Sequence, residues 1–581
     1  MYEQLSFRHV FILIGFTVLI FTFFGFAQAQ TIKSESEKNI TDAQTVEPEN
    51  VRGVPSIAPG FESNDKTPPA LGRVGVDMMR QRPLGLREAI ALALENNKDI
   101  EITRQNVRGA EFDLQSARGF YEPAFTGQTF YERAKTPVFN FFGGGSDGSL
   151  TTSGIGGNAA LTGNIRRTGG SFSVQIDNSR GATNNVFSTV NPIYTQNLRF
   201  ELTQPIARGR KFDQSRRLIE IAKRNLSLTD TQFRQTSIEI ITNVQRAYWD
   251  LTFALQNLQV QRDSVKDAKD QLAHNRRLVK EGRIAPVDIL AGETQVADFE
   301  QAVYDALNTV AQTENNLKNL IAQNKDDRLW SESVTPVDPV DLDAPAVSLP
   351  EALQAALENR PELELNRMQK DINRIDQNFY REQTKPQIDL VASYNLTGAA
   401  GTLNANAVNP LGMTNTAARQ LPDNLLGGYG AALGNLLANR YPSFRVGVKF
   451  NLPLFGGKTD KALLGKSLVD GERLDTERER LEQNILVEVR NALQMVRTAE
   501  ARLRSAAISR KNSVKQYESE QRQFDAGQTD FYKVLERQTA LTNARSKELR
   551  AQTELNKSIA DLQRATGNSL KANNVEARLR K

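Results

Sequence analysis

The stretch LREAIALALEN at Leu86–Asn96 returns later in the chain as LPEALQAALEN at Leu349–Asn359. The same spacing places Pro123 on Pro386, so the two halves agree at two separate points. Self-similarity at a fixed spacing indicates a duplicated structural unit, and it has to be recognised before single elements are assigned. The sequence therefore predicts two tandem structural repeats. They are expected at residues 84–330 and 347–567.

Each repeat ends in a helical hairpin with an apolar seam. In the first repeat a heptad of mostly apolar residues runs from Ile240 to Val279, and the return arm repeats it from Val296 to Leu320. The turn between these arms is Gly282-Arg-Ile-Ala-Pro286. The second repeat carries the same pattern from Ile485 to Phe524, with a more polar seam. Heptads on both arms predict helices that pack on each other. The hairpins are expected at residues 212–325 and 459–566.

The two arms of each hairpin differ in length. As a helix, residues 213–281 would extend about 100 Å, whereas the return arm 286–325 would reach only about 60 Å. The earlier helix at 98–119 adds about 33 Å, so that this helix and the return arm, stacked end to end, nearly match the long helix. In the second repeat, too, the two shorter helices together nearly match the length of the long helix. Each repeat is therefore predicted to form one long and two stacked shorter helices in the wall of a cylinder.

Extended segments with alternating polarity occupy the middle of each repeat. Residues 171–177 and 198–203 alternate in the first repeat, and residues 387–394 and 444–452 alternate in the second. Strands of about ten residues separated by long loops are typical of outer-membrane barrels. Soluble surface sheets give a similar pattern, so the strands alone do not decide between the two. The strands are expected within 122–205 and 387–453.

The N-terminal residues have the pattern of a secretory signal peptide. Arg8 and His9 precede the apolar run Val10–Phe26, which is followed by Ala27-Gln-Ala29, a small-x-small cleavage site. An uncleaved anchor is the alternative. No other segment approaches the roughly 18 apolar residues of a membrane-spanning helix, so a mature chain that crosses a membrane would do so as β-strands. The remaining boundaries are a signal peptide at 1–29, a disordered segment at 30–83, a linker at 331–346 and a C-terminal tail at 568–581.

The composition excludes several classes of function. The 73 basic and 68 acidic residues nearly balance and form no long run of one sign, so nothing favours nucleic-acid binding. The chain has no cysteine, and its two histidines are His9 and His274, so thiolate nucleophiles and multi-histidine metal sites are ruled out. It also has no P-loop lysine motif. We therefore expect no catalytic residue, cofactor or metal, and we expect that the protein is not an enzyme.

The order of these features resembles the TolC-like outer-membrane efflux protein family. The resemblance is carried by the two duplicated stretches, by the strand ends at Pro205 and Pro453, and by the hairpin turns Gly282–Leu290 and Gly527–Leu535. It spans residues 84–567. It implies a mostly α-helical protein with transmembrane β-strands. In the implied homotrimer, four strands from each protomer form a 12-stranded outer-membrane β-barrel that continues as a long periplasmic α-helical barrel.

The resemblance also implies a function and a set of partners. Such a protein is the exit duct of a tripartite efflux or type I secretion system, and it passively conducts substrates across the outer membrane. Its implied partners are a periplasmic adaptor protein, an inner-membrane RND or ABC pump and outer-membrane lipid. The implied location is the cell outer membrane, with a large periplasmic part. A periplasmic coiled-coil adaptor or a structural envelope protein is the alternative, but an adaptor would carry one hairpin and a structural protein would lack the alternating strands.

One hairpin leaves the number of barrel strands open. Residues 159–166 and 171–176 flank Arg167-Thr-Gly-Gly170, and a flanked Gly-Gly predicts a hairpin turn. If both flanking strands enter the barrel, the first repeat holds four strands and a trimer holds eighteen. If they do not, they lie on a surface. We favour twelve strands. In either case unpaired strand edges are costly in lipid, so protomers must complete the barrel together.

The hairpin turns are the candidate functional site. The resemblance implies that they form the periplasmic aperture and meet the adaptor, and that aspartates often ring the aperture in the second repeat. This sequence departs from that pattern, because the matching positions are Lys533 and Glu536, so a simple acidic ring is in doubt. Asp525 and Asp530 lie nearby and could supply negative charge; ordinary solvated turn residues are the alternative interpretation. The candidate residues are Gly282, Arg283, Asp288, Gly527, Asp530, Lys533 and Glu536.

Overall fold

The computed structural model describes residues 72–139, 148–405, 407–408, 421–452 and 457–575. The predicted signal peptide, most of the predicted disordered segment and Pro453 lie outside these residues. The described chain is mostly α-helical and includes a six-stranded antiparallel sheet and a small two-stranded sheet.

The described helices follow the order expected of two tandem repeats. None of them is both long enough and apolar enough to cross a lipid bilayer. In chain order they are α1 (Leu86–Asn96), α2 (Lys98–Gly119), α3 (Gln214–Lys280), α4 (Val287–Ile321), α5 (Leu349–Asn359), α6 (Pro361–Gln383), α7 (Tyr429–Leu437), α8 (Lys458–Asp525), α9 (Phe531–Ala565) and α10 (Ser569–Ala572).

Side chains mark where the helices begin. The carboxylate of Asp213 accepts a hydrogen bond from the first turn of α3, and the side chain of Asn97 does the same for α2, which separates it from α1. Ser348 and Glu351 form a reciprocal capping box at α5. Pro361 occupies the first position of α6, where its missing N–H is no loss. These local contacts satisfy backbone groups that have no partner within the helix.

In each repeat two shorter helices lie along one long helix. Both α2 and α4 pack on α3, and both α6 and α9 pack on α8. The long helix α3 also packs on α6 and α9, which joins the two repeats. The predicted arrangement of one long and two shorter helices per repeat is therefore present.

Each repeat has its own apolar core. The core of the first repeat includes Ile241, Val244, Leu251 and Leu317, all fully buried, and nearly all the residues around it come from the same repeat. The core of the second repeat is smaller and is built only from second-repeat residues, Ile485 and Val489 among them. Since burying one aliphatic side chain contributes about 1.5–3 kcal/mol, each repeat is held together mainly by its own seam.

The six-stranded sheet contains strands from both repeats. Its hydrogen-bonded order is β2 (Ala124–Pro137), β3 (Ser149–Ile165), β4 (Gly170–Thr183), β5 (Val190–Pro205), β7 (Gln387–Leu403) and β8 (Tyr441–Asn451).

The described sheet has six strands rather than the four expected of each protomer, because β3 and β4 pair with each other and with both neighbouring strands. The number of strands in a closed barrel stays a prediction. The turn between β3 and β4 requires Gly169, whose φ is +71° and where a Cβ would come within 2.5 Å of the carbonyl oxygen of Gly209. The strand β3 consists largely of Gly, Ala, Thr and Asn, so its alternation is too weak to show in the sequence.

The two faces of this sheet differ in polarity. Directly paired residues share a face and successive residues alternate. One face is largely apolar, and we call it the apolar face. A row of paired residues on this face crosses all six strands and consists of Phe125, Leu161, Val174, Phe200, Tyr394 and Phe444. The adjacent row on the opposite face, the polar face, is Ala124, Thr162, Ser173, Glu201, Ser393 and Arg445. The apolar face is open, and Phe444 is 81% exposed.

A second, parallel sheet corrects two predicted boundaries. Its strands are β1 (Asp77–Leu84) and β6 (Glu332–Pro336). Residues 77–83 are thus not disordered, and the linker 331–346 begins with a strand. The hydroxyl of Tyr248 holds the C-terminal ends of both strands together, since it lies 3.1 Å from the carbonyl oxygen of Leu84 and accepts the N–H of Val337 at 3.1 Å. Neither segment is periodic or apolar, so only the tertiary contact orders them.

The predicted C-terminal tail also begins with structure. Helix α10 packs on α3 and α9, and Ser569 is fully buried. The side chain of Asn573 accepts a hydrogen bond from Gln245 on α3 at 3.3 Å. Residues 568–575 are therefore a docked segment.

Candidate functional site

The turns of the two hairpins have the same backbone conformation. Gly282 has φ +70° and Gly527 has φ +72°. After each long helix, the glycine N–H and the following N–H donate to carbonyl groups of the last helical turn; for example, the N–H of Arg283 donates to Leu278 at 2.9 Å. This is the Schellman ending of a helix, which favours glycine because other residues are strained at positive φ. The aligned glycines therefore end their helices in the same way.

The return helices begin differently. In the second repeat Asp530 is the N-cap of α9, and its carboxylate accepts the backbone N–H of Lys533 at 3.0 Å. In the first repeat Pro286 precedes α4 with no side-chain cap, and Asp288 lies half-buried in the first turn. One predicted aperture charge, Asp530, thus has a structural role at a helix start, where a negative charge is favourable.

An apolar cluster joins the two tips. Leu278 and Ile284 of the first hairpin contact Phe524, Phe531 and Val534 of the second. The rings of Phe524 and Phe531 lie 5.6 Å apart. Gly292 on α4 lies against the same cluster, because a Cβ there would come within 3.6 Å of the ring of Phe531. This cluster is not apparent from the sequence, where its one local sign is that Phe531 is apolar in the otherwise polar second turn.

Polar contacts at Asp525 add to this junction. Arg283 donates to the backbone carbonyl of Asp525 at 3.1 Å, and Nε2 of His274 lies 3.2 Å from its carboxylate. Of the predicted site residues in the first turn, Arg283 therefore contacts the second hairpin. Lys533 and Glu536 are exposed on α9.

Exposed apolar side chains also lie at the tips. Val287 and Leu290 on the first turn of α4 are 66% and 65% exposed, and Tyr532 on α9 is 75% exposed. They follow the turns directly in sequence. In the sequence, apolar side chains at the beginning of a return helix and outside the heptad seam indicate an exposed apolar surface at the tip. They were not among the predicted site residues.

Above the tips, the interface between the two repeats is formed largely by ion pairs. Six connect α3 with α6 and α9. They are Arg217–Asp376 (2.7 Å), Arg224–Asp371 (3.5 Å), Arg234–Glu364 (2.9 Å), Arg246–Asp561 (2.5 Å), Asp250–Lys557 (2.8 Å) and Asp267–Arg545 (3.9 Å).

Neutral hydrogen bonds also lie within this ladder of ion pairs. The hydroxyls of Ser264 on α3 and Thr542 on α9 are 2.8 Å apart and buried. The core of each repeat is thus apolar, whereas the interface between the two repeats is largely polar. Burial raises the pKa of Asp267 above its usual range, and Arg545 opposes that shift.

The second hairpin has the weaker seam, as the sequence predicted. On α8 the buried apolar residues extend from Leu474 to Ala499, and the next one is Phe524 at the tip. Between Ala499 and Phe524 no described residue of α8 is buried. On α3, by contrast, burial continues through Ala268 and Leu272 to the end.

Comparison with known proteins agrees with this architecture. The family described as outer membrane efflux protein matches residues 170–323 and 352–568, more than half of the chain. No curated protein sequence matches the chain significantly.

Solved outer-membrane channels share the fold. The Campylobacter jejuni CmeC outer membrane channel is similar with a TM-score of 0.60 and 15% identity, over 83% of this chain and 86% of that one. The outer-membrane channel OprN has a TM-score of 0.58 and 15% identity, over 88% and 99%. The open state of the Neisseria gonorrhoeae MtrE outer membrane channel has a TM-score of 0.54 and 16% identity, over 87% and 95%. With its duplicated hairpins, its two-faced sheet and this family match, the chain belongs to the outer membrane efflux protein family, whose members are channels of the outer membrane.

Proposed function

We propose that the chain is the outer-membrane exit duct of a tripartite efflux or type I secretion system. The observation that carries the proposal is the division of the helical wall into two repeats, each with an apolar core and joined by polar contacts. The duct conducts passively, and the energy comes from an inner-membrane RND or ABC pump linked through a periplasmic adaptor. The proposed partners follow from family membership.

The working form is proposed to be a homotrimer. In one chain the outer edges of β2 and β8 have no partner among the described strands, and unpaired backbone groups in lipid cost several kcal/mol each. Three copies that pair β8 of one protomer with β2 of the next would close the sheet. The apolar face would then face lipid and the polar face would line the channel.

The hairpin tips are proposed to form the periplasmic aperture and to meet the adaptor. Their exposed apolar residues, Val287, Leu290 and Tyr532, offer area for such a contact without disturbing either core. The charges at the tips are mixed, since Asp530 is a cap and Lys533 is exposed beside it. We therefore propose an aperture without a simple acidic ring.

Opening is proposed to move the second hairpin against the first. Exposed ion pairs contribute only about 0–1 kcal/mol each, so exchanging those between α3 and α9 costs little compared with opening an apolar seam. The small cluster at Phe524 and Phe531 would hold the tips closed until the adaptor docks. The scarcity of buried residues on the lower part of α8 is consistent with this movement.

A disulfide across the moving interface tests the proposal. The side chains of Ser264 and Thr542 already touch, and the natural chain has no cysteine, so Ser264→Cys with Thr542→Cys creates a single defined bond. We expect the oxidised variant to assemble normally in the outer membrane, as judged by heat-modifiable gel migration, but to lose export. A reducing agent should restore export.

The single-cysteine variants are the matched controls, and both should export normally under oxidising conditions. Export that continues with the cross-link fully formed would show that α3 and α9 do not move apart. A chain recovered as a soluble periplasmic monomer would contradict the duct itself.

A further inference from the structure

Charged side chains on the apolar face of the sheet are confined to one end. Among its paired strand residues in the described chain, the charged ones are Arg133, Lys135 and Arg180, all basic. They lie at the end of the strands remote from the helices, because β2 and β4 begin at the helical end. A charge on a lipid-facing surface is costly at the bilayer midplane and costs little near the interface, so this placement fits a membrane boundary.

The helix α7 covers part of the same face. A Cβ on Gly398 would lie 2.1 Å from the carbonyl oxygen of Ala432, so the helix backbone rests directly on β7. Gln196, which is paired with Gly398, is 1% exposed and donates to the carbonyl oxygen of Tyr429 at 3.4 Å. The helix carries no charged residue, and its outer side chain Leu437 is 73% exposed. An apolar helix on an apolar face is expected to be surrounded by lipid.

A groove of about 500 Å³ runs along the strands beside α7. Its walls are mostly apolar or small, and Arg180 lies on its lining. The guanidinium of Arg180 lies over the ring of Tyr194, 5.9 Å from its centroid, and its Nε is 3.4 Å from the Tyr194 hydroxyl. The groove is also lined by Ile155, Gly157, Ile176 and Tyr429.

We propose that this groove binds a phosphorylated glycolipid of the outward-facing leaflet, with an acyl chain against α7 and a phosphate group on Arg180. Arg133 lies on the same face, two strands away from Arg180 and two residues further along, which corresponds to about 12 Å between the two positions. Long arginine side chains can span this distance to reach one phosphorylated headgroup. Arginine binds phosphate through two parallel hydrogen bonds. Among the paired strand residues that the structure describes, the apolar face supplies no acidic residue to compete for these arginines.

The orientation of the strands selects the leaflet. In an outer-membrane channel with its helices in the periplasm, the ends of β2 and β4 that carry Arg133 and Arg180 face outward. The groove lies on the apolar face, which also carries Phe200 and Phe444, and this points to lipid rather than a second protein as its occupant. The inference rests on the proposed orientation of the sheet, and it is independent of gating and of the exported substrate.

Native mass spectrometry of the full-length assembly in detergent tests the inference. The probes are lipid A with both phosphates, lipid A with the phosphates removed, and phosphatidylglycerol. We expect retention of phosphorylated lipid A, at least about tenfold weaker retention of the dephosphorylated form, and a similar loss in Arg133→Gln/Arg180→Gln. The matched control is Arg199→Gln, since Arg199 lies on the polar face of β5 and should leave retention unchanged.

If the unmodified protein retains lipid A equally well with and without its phosphates, the inference is overturned. It is also overturned if phosphatidylglycerol is retained as well as phosphorylated lipid A. Arg133→Lys/Arg180→Lys keeps both charges and should retain most of the binding if the glutamine variant fails to assemble. If the assembly exports substrate but retains none of the lipid probes, the proposed export function is supported and the proposed lipid site is contradicted.

Discussion

Single glycines determine how the hairpin tips are built. Gly282 and Gly527 adopt positive φ and allow each long helix to end in hydrogen bonds rather than in free carbonyl groups. The sequence shows that these two positions align. Their backbone conformation, and the contact of Arg283 with Asp525 between the hairpins, follow from the folded chain.

Replacing Gly527 by alanine should loosen the second tip. A residue with a Cβ at φ +72° costs about 1–2 kcal/mol, and this strain falls on the turn. We expect faster hydrogen exchange in the first turn of α9, measured by mass spectrometry on the assembled protein.

The matched control is Gly465→Ala in the interior of α8, where no atom lies within 4 Å of the new Cβ. Alanine should stabilise that helix by about 0.5–1 kcal/mol. Similar exchange behaviour in both variants would contradict a special requirement at Gly527.

Among the elements, the contact of α4 with β6 depends on buried charges. Lys318 on α4 is fully buried, and its ammonium group lies 3.3 Å from Glu314 and donates to the carbonyl oxygen of Glu332 at 2.6 Å. Glu314 also pairs with Arg73 at 2.5 Å and accepts the N–H of Val334 at 2.8 Å. This network ties α4 to the small parallel sheet.

Replacing Glu314 by glutamine should destabilise this junction strongly. Breaking a buried pair by removing one partner costs about 3–5 kcal/mol, because Lys318 and Arg73 keep charges without a counter-ion. Urea unfolding followed by circular dichroism should show the loss. Glu500→Gln, which breaks an exposed pair with Arg504 on α8, is the control and should cost less than about 1 kcal/mol.

The effect of Glu314→Gln should depend on pH. Burial lowers the pKa of Lys318 from its usual value, and Glu314 opposes this shift. Without Glu314 the folded state releases the Lys318 proton more readily than the unfolded state does, so the stability of the variant should rise with pH up to about 10.4, the usual value for lysine. A loss of stability that is constant between neutral pH and pH 10 would contradict the assigned role of Lys318.

For the whole molecule, the six-stranded sheet sets the size of the proposed barrel. The sheet takes four strands from the first repeat and two from the second, so the repeats that are similar in their helices contribute unequally to the sheet. The polar face alternates acidic and basic side chains such as Glu201, Arg199 and Arg445. A wider and charged pore follows if three copies close the sheet.

A cryo-EM map of the assembly should show eighteen strands in a closed barrel. The expectation follows because each of three protomers supplies six strands and only closure removes the edges of β2 and β8. Twelve strands, with β3 and β4 outside the barrel, would contradict it. The strand count within one protomer of the same map is the internal control.

The sequence by itself determined the repeat, the two hairpins, the long helices and their apolar seams, because a heptad in a long helix is a strong local signal that needs no partner to be recognised. It also identified the family. The pairing of β3 and β4 within the sheet, the strands β1 and β6, and the docked α10 were decided only by tertiary structure. These segments are short, polar or rich in small residues, and they become ordered through contacts with residues far away in the chain.

The candidate site divides in the same way. The sequence identified Gly282 and Gly527, since a duplicated turn preserves its helix-ending residue. It did not show that Phe524 and Phe531 join the two tips, or that α3 meets α9 through ion pairs such as Arg246–Asp561. Contacts between elements depend on how two surfaces pack together. The periodicity within one helix does not indicate which residues of another helix it will contact.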